Sequence, residues 1–253
     1  MPQISVGQNR VFYICGKSGA KTPIVFIHGS GGGHHHWIYQ VRGLADTLYP
    51  IAPDLPGHGR STGQALGSIE SYSDWLKSFI DRLGLRQFIL GGHSMGGAIA
   101  LDYALRWPNS LKGLVLIGTG ARLRVLPELL DKLAKGIVPP EFVNYMYGPE
   151  TGETLLDRAR SEISSTNPSI FHSDLSACNR FDVIGRLGEI RVRALIICGS
   201  KDLLTPPKYS RFLHDQIGAG TLVEIEGAGH MVMLEKSDAV NQAIDSHFCE
   251  QSS

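Results

Sequence analysis

Six short apolar runs punctuate the chain and set its plan. They are Ile24-Val25-Phe26-Ile27, Tyr49-Pro50-Ile51-Ala52, Gln87-Phe88-Ile89-Leu90-Gly91, Leu114-Val115-Leu116-Ile117, Ala194-Leu195-Ile196-Ile197 and Leu222-Val223-Glu224-Ile225. Most lack polar alternation, as expected of strands buried on both faces of a parallel sheet. Upstream, Ser5-Val6 and Val11-Phe12-Tyr13-Ile14 flank Gly7-Gln8-Asn9 and read as an opening hairpin. Between the runs the period changes. Ile69, Tyr72, Trp75, Leu76, Phe79, Ile80 and Leu83 recur at helical spacing, and Gly84 supplies a stop. Residues 95–107 read as a helix ended by Pro108, and residues 236–249 as a closing helix. Strand alternating with helix predicts an α/β fold with a mostly parallel, doubly wound sheet. A ligand site is then expected outside the carboxyl ends of the strands.

The alternation lapses over residues 120–189. Leu126, Leu129, Leu130 and Leu133 form a helical stripe, Pro139-Pro140 interrupts it, and helical segments are expected near 141–146, 153–164 and 168–179. This stretch reads as a helical cap inserted into a core formed by residues 1–119 and 190–253. An apolar stripe needs a partner, and the nearest is the mouth of a pocket at the strand ends. Leu126, Tyr145, Met146, Tyr147 and Phe171 are therefore candidate pocket walls, joined from the core by Gly31 and Trp37.

Composition adds mainly exclusions. The 253 residues are 42% hydrophobic and carry formal net charge zero, with no basic stripe or acidic tail. Nucleic acid is thus not an expected partner. No apolar run nears the roughly 18 residues of a membrane span, and residues 1–13 lack the pattern of a signal peptide. Cys15, Cys178, Cys198 and Cys249 show neither a C-x-x-C pair nor metal spacing. Free thiols in a reducing cytoplasm are the expectation.

Gly92-His93-Ser94-Met95-Gly96 carries the chemistry. It is a G-x-S-x-G turn placed between a strand and a helix, which lifts a serine hydroxyl clear of the backbone. Serine needs a base, and the base needs an acid to orient it. In this setting the acid follows the serine and the histidine comes last. Asp202 follows the run that starts at Ala194, and His230 follows the one that starts at Leu222. An aspartate after a strand can also merely cap a helix, and ten histidines are present. The order of all three positions favours Ser94, Asp202 and His230 as nucleophile, acid and base. The competing acid position after Ile117 holds only Gly118-Thr119-Gly120. For an oxyanion hole, the expected donors are the backbone N–H groups of Met95 and Ser30, with Gly31 as second choice for the latter. His34-His35-His36 would suggest a metal if extended, but no nearby Cys or acidic residue completes a site. No metal and no cofactor is expected, and these histidines read as flanking the pocket.

The strings His28-Gly29, Asp54-Leu55-Pro56-Gly57-His58-Gly59-Arg60-Ser61, Gly92-His93-Ser94-Met95-Gly96-Gly97, Gly199-Ser200-Lys201-Asp202 and Gly229-His230 occur in that order. Together they resemble the serine α/β-hydrolase family, most nearly its bacterial carboxylesterases, enol-lactone hydrolases and cofactor-free perhydrolases. The resemblance implies the α/β-hydrolase fold with a helical cap. It also implies hydrolysis of small to medium carboxylic esters through an acyl-enzyme on Ser94, with a small-molecule ester as the expected substrate partner and the oligomeric state left open. Two alternatives stay open. One is a lactone or meta-cleavage C–C bond hydrolase with the same triad. The meta-cleavage enzymes share a His-Gly-Ser-Gly string like residues 28–31, but usually have Pro at Gly32 and Asn at His93. The other is a small-molecule receptor with a vestigial triad, although such receptors usually carry Val-Ser where this chain has Met95-Gly96.

Overall fold

The computed structural model describes residues 2–17, 19 and 21–249. The opening hairpin is β1 (Gln3–Val6) and β2 (Asn9–Cys15), and β3 (Pro23–Ile27) follows. A 3-10 turn at His34–Trp37 leads into α1 (Ile38–Gly43) and β4 (Tyr49–Pro53). Next come α2 (Ile69–Leu83), β5 (Phe88–His93), α3 (Met95–Arg106) and β6 (Leu111–Ile117). The insertion holds α4 (Pro127–Ala134), α5 (Val143–Met146), α6 (Glu153–Ser165) and α7 (Pro168–Arg180). The chain closes with β7 (Ala194–Gly199), α8 (Pro207–Gln216), β8 (Gly220–Ile225), α9 (Val232–Glu235) and α10 (Ser237–Phe248).

The strands form one eight-stranded sheet in the order β1-β2-β4-β3-β5-β6-β7-β8. Only the β1–β2 and β2–β4 pairs are antiparallel. The unbroken apolar runs are explained by a core on each face. Val25, Ile27, Phe88, Leu90 and Ile196 point to the side covered by α2 and α3, through residues such as Tyr72, Phe79 and Leu101. Ile24, Phe26, Ile89, Leu195 and Ile197 point to the other side, with Val41 of α1 and Val240 and Ile244 of α10. The central strands β3 to β7 are buried on both faces and so show no polar alternation, whereas the edge strands β1 and β8 keep exposed positions.

Register brings the chemistry to one edge. Ile27 pairs with Gly92, His93 with Ile117, and Gly199 with Ile225. The loops after β3, β5, β7 and β8 therefore open side by side, as the topology predicts. Two local expectations need correction. Leu126 is not part of the α4 stripe: the helix begins at Pro127, whose fixed φ suits the first helical position, and Leu126 precedes it 71% exposed. The segment 34–37 is a 3-10 turn rather than extended chain, so adjacent histidines, not alternate ones, can converge.

Candidate active site

Ser94 sits between β5 and α3 with φ 53° and ψ −117°. Among the described residues it alone combines a side chain with positive φ. Such a conformation costs about 1–3 kcal/mol and persists only where its surroundings enforce it. Here the Ser94 N–H donates to Ile117 O at 2.9 Å, and the Thr119 hydroxyl donates to Ser94 O at 2.8 Å. Closeness of the backbone explains two glycines. A Cβ on Gly92 would lie 2.1 Å from Gly96 O, and one on Gly96 would lie 2.1 Å from Ile27 O.

Asp202 and His230 meet as a buried pair, with Nδ1 to Oδ2 at 2.9 Å. The other oxygen of Asp202 accepts the N–H groups of Leu204 (2.9 Å) and Thr205 (2.8 Å). Thr205 Oγ1 donates to Oδ2 at 2.7 Å. So Asp202 caps the backbone of its own loop through Oδ1, while Oδ2 is shared between Thr205 Oγ1 and His230. Burial raises its pKa, yet the charge and hydrogen bond of His230, then the Thr205 contacts, outweigh it and leave Asp202 below the usual carboxylate range. With Nδ1 engaged, Nε2 remains as the ring nitrogen of His230 for proton exchange. The Ser94 hydroxyl makes no hydrogen bond among the described residues, and such contacts commonly tighten only when substrate is bound. His93, within the Ser94 turn, packs against the loop that bears His230. Its Nε2 donates to the carbonyl of His230 at 3.0 Å, while burial and the neighbouring His230 hold it well below the usual imidazole range, and so neutral.

Ser94, His230 and Ser30 share a cavity of about 520 Å³. The insertion supplies much of its wall, including Leu126, Leu129, Tyr145, Met146 and Phe171. Four of the expected wall residues are thus in place, and three are not. Trp37 is fully buried, stacked on Phe26 with centroids 4.7 Å apart, because the 3-10 turn rolls it into the core beneath the sheet. Gly31 and Tyr147 border a separate, smaller cavity. Leu203, Leu204 and Tyr209 line the main cavity without having been foreseen, since loop residues show no periodicity to read. Leu126, Tyr145 and Leu203 are exposed large apolar side chains that line the cavity. Cys178 also lines it, but burial pushes its thiol up to about 12, which rules out thiolate nucleophilicity near neutral pH.

The loop after β3 is held by a residue that sequence reading passed over. Asp174 of α7 is fully buried and accepts from Gly31 N–H (2.9 Å), Tyr72 hydroxyl (2.6 Å) and His58 Nε2 (2.8 Å). Gly31 N–H is therefore committed, and the second-choice oxyanion donor is withdrawn. The N–H groups of Ser30 and Met95 have no protein acceptor among the described residues. His58 Nδ1 faces Pro56 O at 2.9 Å while Nε2 faces Asp174. Two acceptors require two ring protons, so His58 is an imidazolium. Burial lowers its pKa, but the hydrogen bond and charge of Asp174 outweigh this and raise it above the usual value.

A raised folded-state pKa stabilises most below the unfolded value of about 6.5 and loses that contribution as pH climbs through the folded value. Thermal melts should then show the gap between wild type and Asp174→Asn narrowing from about pH 6 to about pH 9. A gap that stays constant over this range contradicts the imidazolium assignment.

The three histidines divide. His34 pairs with Asp54 through Nδ1 at 2.9 Å and its own N–H, which organises the loop after β4. His35 and His36 both reach Glu162 of α6, at 2.8 Å each. The acidic partner missing from the local sequence thus arrives from 126 residues away.

The family model described as alpha/beta hydrolase fold matches residues 22–237. The chain belongs to the alpha/beta hydrolase family. A dihydrolipoyllysine-residue acetyltransferase component of the acetoin cleaving system from Pseudomonas putida is 30% identical over 247 residues, covering 92% of this chain and 64% of that one. The chain therefore spans slightly under two thirds of that relative. A pimeloyl-[acyl-carrier protein] methyl ester esterase from Neisseria meningitidis is 30% identical over 240 residues, covering 87% of this chain and 91% of that one. Among solved structures, a thermophilic esterase aligns with TM-score 0.84 and 36% identity, over 97% of this chain and 95% of the other. Among the described residues of this family member, no helix is long and apolar enough to cross a membrane.

Proposed function

We propose that the protein is a serine hydrolase of small to medium carboxylic esters. The observation that carries this reading is the Asp202–His230 pair, locked through Nδ1 at 2.9 Å on the wall of the cavity that also holds Ser94. Ser94 Oγ attacks the ester carbonyl carbon and passes its proton to His230 Nε2. The carbonyl oxygen becomes an oxyanion, held by the N–H groups of Ser30 and Met95. The Met95 group opens α3, so the positive end of the helix dipole adds to it. Collapse of this intermediate expels the alcohol, which takes the proton from His230. A water molecule then gives its proton to Nε2 and attacks the acyl-Ser94 carbonyl, releasing the acid and free serine. Lactones are cyclic esters and fit the same steps. The esterase names of two relatives support the ester reading.

Residues 120–189 serve as the cap in this reading, and the cavity they help close sets the chain-length preference. About 520 Å³ lies within the usual size of small-molecule pockets, and the apolar wall from Leu129, Met146 and Phe171 suits an acyl chain of a few carbons. In a series of p-nitrophenyl esters, kcat/KM should peak near butyrate and fall for palmitate. Best activity on palmitate would overturn the closed-cap reading. A single slow turnover with a large thermal shift would instead favour a receptor.

A further inference from the structure

We propose that His35, His36 and Glu162 form a zinc site that straps α6 of the insertion to the 3-10 turn at His34–Trp37. It is independent of the esterase reading. His35 Nε2 and His36 Nε2 each lie 2.8 Å from one oxygen of Glu162, and the three candidate ligand atoms all fall within 4.8 Å of one another. Among the described residues the second Glu162 oxygen makes no hydrogen bond, so one oxygen serves two imidazoles while the other is idle. That is an uneven arrangement for a pure ion pair and a ready one for a carboxylate ligand.

Two imidazoles with one carboxylate suit a borderline cation such as zinc better than calcium or magnesium, which prefer all-oxygen shells. Three protein ligands leave a fourth position for water. Binding uses neutral imidazoles through Nε2, so any Nε2 protons leave to solvent and each ring keeps its proton on Nδ1. His36 is buried while His35 is half exposed, which gives the ion an entry side and a protected side. His36 Nδ1 is already buried without a partner, so metal binding strands no additional polar atom. The two anchors lie 126 residues apart in sequence, and a shared ion would tie the wall of the small cavity between His36 and Ile163 to the core.

The test is calorimetric titration of tag-free, chelator-treated full-length protein with zinc chloride, with calcium chloride as the control. The expected result is one zinc per chain, no calcium binding, and a Tm raised by roughly 5–10 °C at about 100 times Kd. Outer-shell changes at metal sites cost 10–100-fold, so His35→Ala or Glu162→Gln should weaken zinc binding by about a hundredfold or more and remove the Tm rise. Should either variant fold poorly, cobalt bound to the wild-type chain supplies a second reading. A tetrahedral absorption band supports the site, and a weak octahedral spectrum contradicts it. No zinc uptake at about 100 times the protein concentration, or uptake unchanged in both variants, overturns the proposal.

Discussion

Replacing Ser94 with alanine should lower kcat for ester hydrolysis by about four to six decades and leave the fold intact. The loss is large because no other side chain at the cavity can take over. Cys178 is held neutral by burial, and the cavity's remaining hydroxyls lack a base locked as His230 is. What survives is the binding and oxyanion stabilisation that the backbone still provides. Stability should change by no more than about 1 kcal/mol, since among the described residues the Ser94 hydroxyl has no hydrogen-bond partner to strand and alanine tolerates the enforced turn as well as serine does. The measurement is kcat on p-nitrophenyl butyrate beside a thermal melt. Retention of more than about a tenth of wild-type kcat contradicts the assigned nucleophile.

Asp202→Asn should be nearly as damaging, and the hydrogen bonds say why. Oδ1 of Asp202 accepts two backbone N–H groups, from Leu204 and Thr205, at 2.9 and 2.8 Å. An asparagine must keep its oxygen there, because an amide NH₂ cannot face two donors. Its NH₂ then occupies the Oδ2 position and points at His230 Nδ1. The ring is driven to carry its proton on Nε2, the tautomer that cannot accept one from Ser94. The loss of the carboxylate charge also leaves the imidazolium unsupported. A fall in kcat of about four decades is expected, with substrate affinity little changed. An Asp202→Asn enzyme of near wild-type activity would point to a different acid. Asp202→Glu offers a useful contrast, since it keeps the charge and moves the oxygen.

The parts of this molecule that were legible in the sequence share a physical reason. Ile24 to Ile27 and Leu114 to Ile117 read as strands because both sheet faces are covered, which leaves no place for a polar residue. The Ser94 turn was legible because backbone at Gly92 and Gly96 admits no Cβ, a constraint that leaves a mark in the sequence. The loops bearing Asp202 and His230 could be found from the strand ends together with the order of the three positions, since neither residue stands out alone. The insertion was legible only as helices. Leu126 was misplaced because its spacing fits the stripe while Pro127 starts the helix one residue later. Trp37 was misplaced because a wall and a core position look alike in a short turn. Asp174 and Glu162 lay beyond reach for another reason. Each acts on residues more than a hundred positions upstream, and nothing within α6 or α7 marks a carboxylate that will be buried against His58 or shared by His35 and His36. Long-range polar pairing leaves no local period, so only the folded chain reveals it.

An acyl-enzyme on Ser94 should be caught by intact-mass measurement after rapid acid quench during turnover of a slowly deacylated p-nitrophenyl ester, followed by peptide mapping. The expected result is a mass increase of one acyl group, located on the peptide that carries Ser94, and none in Ser94→Ala. Full turnover of the ester with no acyl adduct at any time, or an adduct mapped to another residue, would contradict it.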